Sequence, residues 1–353
     1  MLSKSPGLMR ILWVAPWGSP LAAVFAEGLR AHGAEVLTIT TPQHYEVAAA
    51  TEGVVVVTGS IKRPASFGSA ISALRVARRF RPDVVVTEEF TDPRLMPILR
   101  LAPVAVLMHD DAPHDHTELR PWHHRVVADR VLRRADLMVT FSDFVARHAR
   151  GRWSIPTITV PLPSEAPESL VQPVVAAPDR RDMVVLGRIN PYKDLPTTLA
   201  AWAIHVHGSA YRGDELVVIG DGNEVDLDLP AHCRWRRQRF QFADALPALA
   251  HAKASVVHYR SATQSGVQLT SMQCGTAAIV SDVGGLPEYL PVGGHPVPAG
   301  DPVLLAAAFD DLADPVHATT EGTAARAHYD NCFTAGFAAR VLLTQLRNRL
   351  SPR

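Results

Sequence analysis

At 353 residues the chain is too long for one ordinary hydrophobic core, so two domains are expected. Its 35 basic and 35 acidic side chains cancel, which excludes a global field for nucleic acid or a membrane surface; 47% apolar and 20% charged residues is ordinary globular composition. The three cysteines, Cys233, Cys274 and Cys332, are scattered without metal-ligand spacing and point to a reducing compartment.

The first apolar run, 11–16, is short and soon followed by polar residues. No secretory leader or membrane span is expected, and the cytoplasm is the expected location. In chain order, "RILWVAP" reads as a strand, "LAAVFAEGLRAHG" as a helix and "AEVLTIT" and "GVVVVTG" as strands. The helix "SAISALRVARRFRP", stopped at Pro82, leads to the strand "DVVVTEE". The strands "VAVLMHDD" and "DLMVTFSD" flank the helix "RPWHHRVVADRVLRRA". Strands apolar on both faces, alternating with amphipathic helices, predict a parallel sheet covered on both sides.

The rhythm breaks over 160–182, which is rich in proline, and 166–182 reads as a linker. The alternation then restarts with "MVVLGRI", a helix over 195–207, "ELVVIGDG", the helix "ADALPALAHA", "ASVVHY", a helix around 265–274 and "TAAIVSD". The expected layout is α/β. A first Rossmann-like domain covers 1–165, a second covers 183–335, and a terminal helix over 336–353 packs back towards the first. Two such domains place a cleft at the carboxyl ends of their sheets, where open parallel sheets hold ligands.

The chemistry-bearing residues concentrate in the second half. Gly187 ends a strand, Arg188 follows it, and Lys193 comes just before a helix. A planar fork and a point charge at one strand-to-helix turn suit a diphosphate, and both reach a cleft without being buried. The same pair also reads as two solvated surface cations. Gly220-Asp221-Gly222 forms a turn that lets backbone approach a flat ring or ribose. Gln264, Ser265 and Gly266 open the helix at 265, with Ser265 as its N-cap and free N–H groups for an anion; an ordinary capped helix is the alternative.

In order and spacing, "GR" and Lys193, then "VVIGDGNE", then "SGVQLTSMQCGTAAIVSDVGGLPE" resembles the family-4 glycosyltransferases, over roughly 183–290. The resemblance extends loosely over the first half through Gly18 and through His109 in "VLMHDD". It implies the GT-B fold and a nucleotide-sugar donor held by the second domain. Arg188 and Lys193 match the pair that grips the diphosphate, with Gly220, Gly222, Gln264, Ser265, Gly266, Val267 and Thr270 around the donor. Gly18 and His109 match groups near the transferred sugar. One departure is clear: aligning "TSMQCG" to the family's motif puts Ala262 and Thr270 where the family has two glutamates. Gln264 and Thr270 supply neutral polar groups instead, weaker hydrogen-bond partners than a carboxylate by about 1 kcal/mol.

The implied activity is transfer with retention of anomeric configuration to a glycan, a lipid-linked glycan or a small metabolite. Charge on the leaving diphosphate is met by Arg188, Lys193 and the helix N-terminus rather than by a metal. "DLD" at 226–228 reads as a polar loop, and the His-rich "HDDAPHDH" at 109–116, though chemically able to bind metal, as a hydrated one. No cofactor beyond the donor and no nucleic-acid partner are expected. The basic clusters "RVARRFRP", "RVLRR" and "RWRRQRF" read as solvated faces; the sharper reading is peripheral contact with anionic lipid at the inner membrane face. Trp122, His123 and His124 line the acceptor side or simply pack. A non-catalytic binding module and a sugar-nucleotide epimerase are the rival readings on the same scaffold.

Overall fold

The computed structural model describes residues 8–16, 19–41, 53–59, 66–88, 92–110, 122–222, 227–239 and 241–350. They form two compact units: one holds the described residues up to 163 together with 335–350, the other 164–334.

The first unit is built on seven parallel strands: β1 (Met9–Ala15), β2 (Ala34–Thr40), β3 (Val54–Val56), β4 (Val84–Thr87), β5 (Val104–Met108), β6 (Leu137–Thr140) and β7 (Thr157–Thr159). Their order across the sheet is β3-β2-β1-β4-β5-β6-β7. Central β1 sets Trp13 beside Thr38 on one side and Val86 on the other. Ile11, Leu12, Trp13 and Val14 have no exposed surface, because helices cover both faces. These are α1 (Ser19–Ala31), α2 (Ser66–Phe80), α3 (Trp122–Leu132) and α4 (Asp143–Arg152). Sequence patterning misses α4 because its residues are largely polar. Its ends are nonetheless well made: the Ser142 hydroxyl accepts from Val145 N, and Arg150 and Arg152 sit at the negative end of the dipole.

The second unit has five parallel strands: β8 (Met183–Leu186), β9 (Leu216–Ile219), β10 (Cys233–Arg236), β11 (Ala254–Val257) and β12 (Ala277–Val280), in the order β10-β9-β8-β11-β12. Its helices are α5 (Leu195–His207), α6 (Phe242–Ala250), α7 (Gly266–Gln273), α8 (Pro302–Asp311) and α9 (Pro315–Cys332). One core layer gathers around Trp202, Leu199, Leu305 and Phe309, the other around Leu186, Val217, Leu246 and Leu249. The basic cluster "RWRRQRF" begins in edge strand β10, where Cys233 and Trp235 are half-buried and Arg234 and Arg236 exposed. A charged edge of this kind blocks pairing with another sheet.

The prolines of 166–182 do not make a free linker. Ala166, Val171 and Val175 pack into the layer that holds Leu246 and Leu249. The buried Arg180 guanidinium donates to the carbonyls of Val175, Ala252 and Gly275, so this stretch is fastened to the second unit. The last helix, α10 (Ala335–Leu350), belongs to the first unit and lies along α1, where a Cβ on Gly28 would stand 2.7 Å from the Ala339 Cβ.

Within the second sheet, β8 is flanked by β9 on one side and β11 on the other. The chain therefore leaves β8 in one direction and returns beyond it in the opposite one. Such a reversal opens a crevice at the carboxyl ends of the two strands.

Candidate active site

A cavity of about 290 Å³ lies at that crevice. Leu186, Gly187 and Arg188 enter it from the end of β8, and Tyr259 from the end of β11. Tyr192 and Lys193 come from the short 3-10 turn Pro191–Lys193, and Phe242 from the start of α6. Gln264, Ser265, Gly266, Val267 and Thr270 are contributed by the loop before α7 and by its first turns. Glu165 completes the wall.

The two expected cations do share this cavity, in different states. Arg188 is exposed, as the reading of the sequence requires. Lys193 departs from it: the side chain is buried, 7% exposed, with Nζ donating to the Leu186 carbonyl at 3.0 Å and standing 5.1 Å above the Tyr259 ring. The reason is local. Asp194, in the left-handed region at φ 51°, ends the 3-10 turn, and its carboxylate pairs with Arg260 at 2.8 Å. The turn thereby folds the lysine inward over the end of β8. Burial lowers the Lys193 pKa; the charge of Arg188 adds to this, and Tyr192 opposes it.

Ser265 caps α7, its hydroxyl accepting from Gln268 N at 3.3 Å. A Cβ built on Gly266 meets nothing within 4 Å, so backbone at the helix start faces open space. N–H groups there favour an anion. Burial pushes the Tyr259 phenol up to about 12, so the ring is a neutral wall at physiological pH. Cation, helix N-terminus and aromatic wall together make a seat for a polyanion bearing a flat or apolar appendage.

Thr270 lines the cavity, but its hydroxyl is engaged with Ser164 Oγ at 3.0 Å. Gly220 and Gly222 are not among the lining residues. Their lack of a side chain answers a backbone requirement: a Cβ on either would fall within 2 Å of the carbonyl oxygen of Gly187 or Ile189. The bonds Gly187 N to Ile219 O (3.0 Å) and Ile189 N to Asp221 O (2.7 Å) zip the two strand ends together there. His109 lies in the first unit just past β5, its ring 5.1 Å from that of Phe141. Gly18 lies outside the described residues, as do most of 109–116 and part of 226–228. Trp122 is 70% exposed at the start of α3. Among the described residues no group of three His, Cys, Asp or Glu side chains converges as a metal site, and no helix is long and apolar enough to cross a membrane.

A glycosyltransferase 4-like domain model matches residues 20–163, and a model for group 1 glycosyl transferases matches 180–314. Between them they cover more than three quarters of the chain. The protein belongs to the GT-B glycosyltransferases. Among solved structures, sucrose-phosphate synthase from Thermosynechococcus elongatus is similar with a TM-score of 0.73 at 19% identity, over 96% of this chain and 98% of that one. The Anabaena protein HepE, solved in complex with UDP and glucose, is similar at TM-score 0.67 and 14% identity, over 96% and 100%. A UDP-forming trehalose-phosphate synthase from Burkholderia vietnamiensis is similar at 0.64 and 13%, over 96% and 100%. No curated protein sequence matches the chain. At such identities the likeness is one of fold, and this glycosyltransferase carries two parallel-sheet Rossmann-like domains of seven and five strands.

Reasoning from sequence singled out neither Leu186, the last residue of β8, nor four further contributors to the cavity. Tyr192 in "NPYKD" and Tyr259 closing "ASVVHY" flank strand ends, which is a readable signal. Phe242 opens a helix without distinction from any core residue. Glu165 lies in a stretch read as domain edge and carries no local motif.

Proposed function

We propose that this glycosyltransferase takes a nucleoside-diphosphate sugar into the cavity at the ends of β8 and β11 and transfers the sugar, with retention, to an acceptor hydroxyl. The observation that carries the reading is the convergence of Arg188, Lys193 and the α7 N-terminus on one cavity at a reversal of strand order. Uridine diphosphate is the first carrier to test, because the similar HepE structure holds UDP.

In the proposed step the bond between the anomeric carbon and the diphosphate oxygen breaks, and its electron pair stays on that oxygen. Arg188, Lys193 and the α7 N–H groups stabilise the growing charge. The acceptor oxygen bonds to the anomeric carbon on the same face, and its proton passes to the departing phosphate oxygen. The products are a glycoside and a nucleoside diphosphate. His109 and Gly18 stay candidate contacts of the transferred sugar on the strength of the sequence resemblance.

The acceptor is a glycan, a lipid-linked glycan or a small molecule. One feature supports the lipid-linked class and a peripheral station at the inner membrane face: α2 exposes Phe67 and Ile71 together with Arg75, Arg78 and Arg79. Exposed apolar and basic residues on one helix suit an anionic lipid surface. Incubation with UDP-, GDP- and ADP-sugars, followed by NMR of the products, tests the reading. A glycoside of unchanged anomeric configuration supports it. An interconverted nucleotide-sugar, or a ligand bound and returned unaltered, overturns it.

A further inference from the structure

Helix α7 carries no carboxylate, yet its cavity does. Glu165 is the only acid among the lining residues, and it makes no hydrogen bond or ion pair with any described residue. Its neighbours are held firmly. Ser164 and Ala166 are buried on either side of it. The Ser164 hydroxyl meets that of Thr270 at 3.0 Å and accepts from Ala166 N at 3.1 Å. One turn along the same face of α7, Gln273 Nε2 donates to the Ala166 carbonyl (3.4 Å) and to the Glu168 carboxylate (2.9 Å). The neutral Thr270 and Gln273 thus clamp the 164–168 segment onto the helix and leave Glu165 projecting at the cavity.

A lone carboxylate is an acceptor without donors, and beside phosphate it is repulsive. It fits a ligand where the ligand presents hydrogen-bond donors, and on a sugar those donors are hydroxyl groups. The anion-favouring groups gather at the first turn of α7, where a Cβ on Gly187 would lie 2.7 Å from Lys193 Nζ and 3.5 Å from Val267. The Glu165 segment is tied down at Thr270, three residues on, a rise of about 4.5 Å along the helix. That offset matches the step from a diphosphate to the sugar directly bonded to it. We infer that Glu165 accepts hydrogen bonds from the vicinal 2′ and 3′ hydroxyls of the donor's ribose, supplying from the chain before β8 the carboxylate that α7 lacks. Burial raises the Glu165 pKa, and hydrogen bonds donated by a bound diol would oppose that rise.

This inference rests on the nucleotide-sugar reading, and calorimetry separates the two. Wild type, Glu165→Gln and Arg188→Ala are titrated with UDP, with 2′,3′-dideoxy-UDP and with inorganic pyrophosphate, and the set is repeated with the GDP pair. Wild type is expected to prefer the ribonucleotide by about tenfold or more, the scale of a charge-assisted hydrogen bond. Glu165→Gln should erase most of that preference and leave pyrophosphate binding unchanged or tighter, while keeping its fold by circular dichroism. Arg188→Ala should weaken all three ligands and keep the preference. A Glu165→Gln protein that still prefers the ribonucleotide as wild type does overturns the inference and leaves the donor site standing. An effect of Glu165→Gln confined to UDP-sugars, absent with UDP, also overturns it by moving the contact to the transferred sugar. Failure of wild type to bind any of these diphosphates sinks the nucleotide-sugar reading itself.

Discussion

Replacing Lys193 by methionine separates its charge from its bulk. Methionine keeps nearly the same volume, so no cavity is left in the wall. The ammonium's donation to the Leu186 carbonyl at 3.0 Å is lost, and orphaning a buried carbonyl costs about 1–3 kcal/mol. The contact 5.1 Å above Tyr259 goes as well, worth about 0.5–2 kcal/mol. Against this, no described carboxylate pairs with Lys193, and relieving an unpaired buried charge returns several kcal/mol. These opposing effects leave the net change in folding stability within about 2 kcal/mol of zero. Catalysis has no such offset if the charge acts, as proposed, on the leaving diphosphate as the bond breaks; kcat/KM is then expected to fall on the order of 10²–10³-fold. Urea unfolding beside steady-state kinetics reads both. The pH dependence gives an independent sign. Burial lowers the Lys193 pKa below its ordinary 10.5, so between the folded value and 10.5 the unfolded chain binds more protons. Wild-type stability should therefore gain on Lys193→Met as pH rises through that window. A variant that unfolds several kcal/mol more easily yet turns over like wild type would refute the argument and make Lys193 a structural plug.

Arg188→Ala, at an exposed strand end, should change stability by no more than about 0.5 kcal/mol while lowering kcat/KM on the order of 10²-fold; equal kinetics would return Arg188 to the solvated surface. Turnover is expected to survive EDTA, since the proposed countercharges are side chains and helix N–H groups; loss restored by Mg²⁺ or Mn²⁺ would show a metal carrying that charge. Thr270→Glu should be poorly tolerated, because it breaks the bond to Ser164 and puts a second carboxylate, 4% exposed in its place, near Glu165; a melting temperature equal to that of wild type would contradict the clamp.

The strands whose residues are apolar on both faces were legible because burial on both sides leaves no other composition. β7 was not: "TIT" is three residues long, too short for any period to show. β10 alternates cysteine and tryptophan with arginine, and its charges mask its period of two. α8 and α9 carry only a weak amphipathic pattern, although Asp301-Pro302 and Asp314-Pro315 announce their starts. In both, the aspartate accepts from two backbone N–H groups and proline occupies the first helical position. The fastening of 166–182 was illegible for another reason. Its prolines describe local conformation, whereas its apolar residues find partners some seventy positions away in α6.

The site shows the same division between local and distant causes. Arg188, Ser265 and Gly266 were readable because a strand end and a helix start are local events. The burial of Lys193 turns on the left-handed Asp194 and its pairing with Arg260, which lies sixty-six residues on and is visible only in three dimensions. Reading α7 by itself, Thr270 and Gln273 look like losses, a helix without its acid. In the folded unit they face the segment that precedes β8, and a hydroxyl and an amide are what such a clamp requires, since a carboxylate at either place would stand against Glu165 or Glu168. Neutrality on the helix and a carboxylate on the strap are thus two halves of one arrangement. A chain with the acid on α7 would have no need of Glu165, and a chain with both would bring like charges together in one small cavity.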